Sequence, residues 1–174
     1  MLKIFSLLLV IILVIALQIG FLPGIDYQLA LLINLPLLLL VFISYFYHYG
    51  TAVLAAVFAG LILDVYSPLF FGFFILLFLL EVFAIKAILK SILQHKNLAV
   101  FILVNLISLI IYQIIYLVVL LSAAKFSSVS PANSLTASYF VFSLAQIIVH
   151  SFIILALYKI SARFKSRLIS QFIS

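Results

Sequence analysis

Only nine Lys or Arg and three Asp or Glu interrupt the 174 residues, and they leave six apolar runs nearly free of charge. A soluble domain carries charge on about a quarter of its residues, enough to cover its surface. Here 7% of residues are charged and 70% are hydrophobic, so most of the outer face must meet lipid. A helix rises about 1.5 Å per residue, and about 20 apolar residues cross the hydrocarbon of a bilayer. The runs fall at roughly 4–22, 28–47, 51–66, 68–90, 98–121 and 137–160. The reading is an all-α polytopic membrane protein: six transmembrane helices in one domain, 1–160, then a basic amphipathic tail, 161–174.

The breaks between runs carry ordinary turn chemistry. They are Pro23-Gly24-Ile25-Asp26, His48-Tyr49-Gly50, Ser67-Pro68, the basic stretch Gln94-His95-Lys96-Asn97 and a serine-rich loop from Ser127 to Thr136. With the N-terminus in the cytoplasm, six crossings put Lys3, the Lys86/Lys90/Lys96 group and Lys159/Arg163/Lys165/Arg167 inside, and only Lys125 outside. That asymmetry is the one expected of cytoplasmic loops, and it places both termini in the cytoplasm. Tyr45, Tyr47, Tyr49 and Tyr158 fall at cytoplasmic ends, where amphipathic rings favour the interface. The apolar run from Ile4 to Ile19 leads into Gly20-Phe21-Leu22-Pro23-Gly24 with no small-x-small cleavage pattern, so it reads as a retained helix. In the tail, Ile160, Phe164, Leu168 and Phe172 recur every four residues between basic side chains, a pattern suited to the inner leaflet or to a cytoplasmic partner. The net charge of +6 is explained by topology and does not indicate nucleic acid.

Polar and small residues inside the runs are the candidates for function. On the third span Ala52, Ala56, Gly60 and Asp64 recur every four residues and share one helical face. Small residues at that spacing let two helix backbones approach closely, either within the bundle or against a separate partner. Ser67 before Pro68 reads as a cap on a fourth helix starting at the proline, with Asp64 close to that helix's positive end. Pro36 within the second span cannot donate to Leu32 and should bend the helix, with Asn34 beside it satisfying the freed groups.

Glu81 stands among Phe78, Leu79, Leu80, Val82 and Phe83. A charge at a membrane helix centre costs about 2.5–3.5 kcal/mol on insertion scales, so such a residue faces the bundle and seeks a partner. Asn105, Ser108 and Tyr112 form one polar stripe on the fifth span, and Ser143, Gln146 and His150 form another on the sixth. The stripes suit a hydrogen-bonded interior or the lining of a polar cavity. No cofactor is expected, because the sequence shows no paired-His metal motif, no nucleophile elbow, no phosphate-cradling glycine loop and no cysteine. An enzyme is therefore not expected.

The stretch Gly60-Leu61-Ile62-Leu63-Asp64-Val65-Tyr66-Ser67 followed by Gly72 resembles the central motif of the bacterial rod shape-determining protein MreD family, in which a second glycine follows the aspartate by eight residues. Asn34-Leu35-Pro36 before an apolar run is similar to that family's second helix. Members often place a proline just before the later glycine, whereas here Phe70-Phe71 precede Gly72. The resemblance implies a non-enzymatic scaffold of the cell-elongation and peptidoglycan-synthesis machinery in the bacterial cytoplasmic (inner) membrane. Its implied partners are membrane lipid and an MreC-like single-span protein, and indirectly an MreB-like filament, a RodA-type glycosyltransferase and a penicillin-binding transpeptidase. On this reading Ala52, Ala56, Gly60, Asp64, Ser67 and Gly72 serve partner binding or packing, and Asn34, Glu81, Asn105, Gln146 and His150 are the intramembrane polar set. The family's likeness to vitamin-transporter S components sets the alternative, a substrate-binding subunit with Glu81, Asn105, Gln146 and His150 around a common cavity.

Overall fold

The computed structural model describes residues 2–67, 69–91, 98–126 and 137–172, and within them every regular element is a helix. Pro68, the basic stretch 94–97 and the serine-rich loop 127–136 lie outside the described residues, as do the side chains of the tail. Helix α1 (Leu2–Ala16) passes through a π-helical turn (Leu17–Phe21) into α2 (Leu22–Ile25). Then come α3 (Tyr27–Leu32), α4 (Leu35–Phe46), α5 (Tyr49–Tyr66), α6 (Phe73–Ser91), α7 (Leu98–Phe126) and α8 (Ala137–Phe172).

Four stretches are long and apolar enough to cross a membrane: Phe5–Ile25, Tyr49–Tyr66, Leu98–Val119 and Val141–Lys159. They correspond to the first, third, fifth and sixth runs of the sequence. The second run differs from expectation, because it is two helices, α3 and α4, and not one bent helix. The fourth also differs: α6 begins at Phe73, five residues after the expected start at Pro68. Helix α8 runs through residue 160 as one helix of 36 residues.

Helix α4 is short, yet eight of its twelve residues are buried. It packs against α1, α5, α6 and α7 and so serves as the central post of the bundle. Two apolar clusters meet on it. One joins Leu37, Leu40 and Ile43 to Ile11 and Ile15 of α1, to the alanines of α5 and to Leu77, Phe78 and Val82 of α6. The other joins Leu38, Val41 and Tyr45 to Ile85, to Val100, Phe101 and Val104 of α7 and to Ile154 of α8. Phe101 fills the second cluster, with its ring 4.6 Å from that of Tyr45 and 5.8 Å from that of Tyr158. The outer helices turn Phe5, Leu9, Phe58, Phe83, Ile114 and Phe152 outward, as a bundle surrounded by lipid requires.

The cost of emptying that second cluster follows from its surroundings. In water, Phe→Ala in a core loses both transfer energy and contacts; in a bilayer the transfer part vanishes, because the unpacked ring would sit in lipid. Phe101→Ala should therefore destabilise the bundle by about 2 kcal/mol, below the range seen in soluble cores. A lower thermal unfolding midpoint in detergent would show it, and an unchanged midpoint would mean that Phe101 does not hold α4, α7 and α8 together.

Candidate functional site

The residues of the α5–α6 hairpin form the densest set of sequence-predicted positions. Ala52, Ala56, Gly60 and Asp64 are all buried, together with Ala55 and Ala59 one residue to the side. The face they make is occupied within the chain, since α5 packs most extensively on α6 and also on α1 and α4. A Cβ built on Gly60 would lie 2.5 Å from the Ile75 Cα and 2.6 Å from the Ile75 N, an overlap with backbone that nothing can relieve without separating the helices. Glycine at 60 is therefore what lets α6 start where it does.

One helical turn further along that face, Asp64 reaches the first turn of α6. Its carboxylate accepts from Phe74 N–H at 2.8 Å, Gly72 N–H at 3.1 Å and Ile75 N–H at 3.3 Å. Helix N-termini leave amides unpaired, and they form the positive end of the helix dipole. The cap for α6 comes from the preceding helix, eight to eleven residues upstream. Gly72 adopts φ +96°, a backbone state open to glycine and strained for other residues, and this aims its own amide at the carboxylate. Ser67 does not cap a helix at Pro68 as the sequence suggested. Its Oγ accepts from Leu69 N–H at 3.0 Å and shapes the turn, while the Asp64 contacts fix the helix start.

The second site is the interruption between α3 and α4. Pro36 sits in the first turn of α4, where its missing N–H and its ring disfavour a straight helix through Leu32. In unbroken helix Asn34 N–H would bond the Ala30 carbonyl and Leu35 N–H the Leu31 carbonyl. Side chains from other helices replace these bonds. The Gln18 amide donates to Ala30 O at 3.0 Å and accepts from Leu35 N–H at 2.9 Å, bridging both sides of the gap. His150 on α8 accepts at Nε2 from Asn34 N–H at 2.9 Å, which requires that nitrogen to be unprotonated. Asn34 itself caps α4 through Oδ1, accepting from Leu37 N–H at 3.1 Å. The π-helical turn that widens the first helix contains Gln18.

No family model, curated protein or solved structure matches the chain.

The remaining polar residues fall into separate groups. Glu81 and Ser108 meet in the interior, with the serine Oγ donating to Glu81 Oε2 at 2.7 Å. Asn105, one turn away on α7, is buried, and neither of its amide atoms has a hydrogen-bond partner among the described residues. Gln146 pairs instead with Gln113, whose Nε2 donates to Gln146 Oε1 at 3.1 Å, and the Ser143 hydroxyl donates to the other end of the Gln113 amide. Glu81, Gln146 and His150 thus bond to three different neighbours. Tyr112, from the fifth-span stripe, stacks on Tyr116 with ring centroids 6.2 Å apart. Among the described residues no three His, Asp or Glu side chains are placed to hold a metal. Sequence reasoning passed over Gln18 and Gln113, although each is an amide side chain in an otherwise apolar run, which was the available signal.

Two sets of variants test these sites. Asp64→Leu leaves the amides of Gly72, Phe74 and Ile75 without their acceptor and should cost about 3 kcal/mol or more, whereas Asp64→Asn keeps one acceptor oxygen and should cost less. Gly60→Ala should be similarly disruptive; Gly50→Ala, with nothing within 4 Å of the added carbon, should be tolerated. Thermal unfolding in detergent gives the order, and equal midpoints for Gly60→Ala and Gly50→Ala would refute the close approach. At the helix interruption, His150→Phe should cost about 1–3 kcal/mol by stranding one amide, and Gln18→Leu more, because it strips a donor and an acceptor together. Hydrogen exchange at Asn34 and Leu35 should accelerate in the matching variant; protection as in the parent would break the assignment.

Proposed function

We propose that this chain is a non-enzymatic, six-span scaffold of the bacterial cytoplasmic membrane, acting in cell elongation as members of the MreD family do. The observation that carries the reading is the α5–α6 hairpin. Gly60, Asp64 and Gly72, the residues whose spacing gives the resemblance, are the close approach, the cap and the positive-φ turn on which that hairpin depends. In this reading the interrupted pair α3–α4 and the helix α6 supply two crossings beside the four long apolar stretches. Lys86 of α6 donates to the Tyr47 carbonyl at the end of α4 at 2.5 Å, so the tyrosine-rich end of α4 and the basic half of α6 share one side. That is the arrangement expected if this side faces the cytoplasm.

The small-residue face of α5 is used within the chain, so the single helix of an MreC-like partner would meet an outer side of the bundle and leave the hairpin as the rigid frame behind it. A small-molecule-binding subunit would need Glu81, Asn105, Gln146 and His150 around one space. The separate hydrogen bonds of Glu81, Gln146 and His150 favour the scaffold.

Complementation tests the role. In a rod-shaped bacterium deleted for its own MreD-type protein, the tagged chain should restore rod shape and co-purify with a single-span membrane protein, and Asp64→Leu should lose both. Round cells and no such partner would reject the scaffold, and a stoichiometric vitamin-like ligand in mass spectra of the purified protein would replace it with transport.

A further inference from the structure

The turn between α5 and α6 lacks the chemistry of a loop in water. From Val65 to Gly72 it has no charged and no amide side chain, and Val65, Tyr66, Phe70 and Phe71 are 61–69% exposed. The nearest charged residues on either side, Asp64 and Glu81, are buried. Most backbone amides of the turn and of the helix start that follows it are satisfied without water. Asp64 takes those of Gly72, Phe74 and Ile75, Ser67 takes that of Leu69, and the carbonyls of Phe70 and Gly72 take those of Phe73 and Leu76. Exposed rings on a backbone that keeps its polar groups to itself suit the boundary between headgroups and hydrocarbon, where aromatic side chains gather.

The length of the hairpin points to the same level. Lys86 donates to the Tyr47 carbonyl, so its ammonium marks the other end of the hairpin, beside the start of α5. Such a charge keeps to the edge of the hydrocarbon. From there the 18 residues of α5 rise about 27 Å, against about 30 Å of hydrocarbon in a typical bilayer. The tip therefore reaches the far boundary and does not project past it. We infer that this tip is a lipid-docking surface, with the rings of Tyr66, Phe70 and Phe71 seated among acyl chains just beneath the headgroups of the leaflet opposite Lys86. A water-soluble partner would find no charge and no amide side chain there to recognise. The inference needs the chain to lie in a bilayer and does not rest on the scaffold role.

The chain contains no tryptophan, so Phe71→Trp in the full-length protein places a single such fluorophore at the tip. The variant is reconstituted in phosphatidylcholine vesicles, with or without bromine on the acyl chains near the carbonyl end, and is titrated with iodide present on both sides of the membrane. Brominated lipid should remove most of the tryptophan emission, and iodide should remove far less than it does from the same variant unfolded in denaturant. Val65→Trp, on the α5 side of the tip, should behave alike and supplies the measurement if Phe71→Trp does not fold. The inference fails if iodide quenches the folded variant as fully as the unfolded one, which would put the tip in water. It fails equally if brominated lipid leaves the emission unchanged, which would mean that lipid does not reach the tip.

Discussion

An amide that loses its partner in hydrocarbon has no water to turn to, and the structure is organised around the two places where the backbone creates such amides. One is the start of α6, where three N–H groups converge on the Asp64 carboxylate. The other is the α3–α4 interruption, where Gln18, Asn34 and His150 stand in for missing helical bonds. In each case a polar side chain from a different helix, or from the far side of a turn, supplies what the helix cannot. Helix positions in the bundle are therefore set by hydrogen bonds at their ends as much as by contacts along their sides.

Side contacts do the rest through size. Between lipid-exposed helices no hydrophobic force favours association, so close packing must come from backbones that can approach. Ala52, Ala55, Ala56, Ala59 and Gly60 remove side-chain bulk from α5 on the side that meets the bundle, and the overlap at Gly60 shows how little room is left. Around α4 the opposite strategy holds, with Phe42, Tyr45, Phe46 and Phe101 interlocking their rings. The small side chains fix a distance and the rings fill a volume.

The face of α5 was readable in the sequence because it depends only on helical periodicity, and Ala52, Ala56, Gly60 and Asp64 emerge buried on it together. The start of α6 was not. Ser67-Pro68 gives a local signal for a helix start, but the amides that Asp64 gathers begin at Gly72, and that contact forms across the turn. The interruption was half readable: Pro36 and Asn34 marked a disturbance, while the conversion of a bend into a gap needed partners 17 and 116 residues away. Of the polar residues singled out, Glu81 faces Ser108 from the expected stripe, whereas Gln146 pairs with Gln113, which spacing alone did not mark.

The bond between Asn34 and His150 also ties an early part of the chain to a late one. A chain that enters the membrane from its N-terminal end places α3 and α4 long before α8 exists, and Gln18 can close its share of the gap at once because it has already arrived. Asn34 N–H has to wait for a residue 116 positions later. Until then the central helix of the bundle carries one polar group facing an unfinished side, a mark that distinguishes a partly inserted chain from a complete one. Docking of α8 is thus what pairs the Asn34 amide, and a helix late in the sequence completes one that comes early.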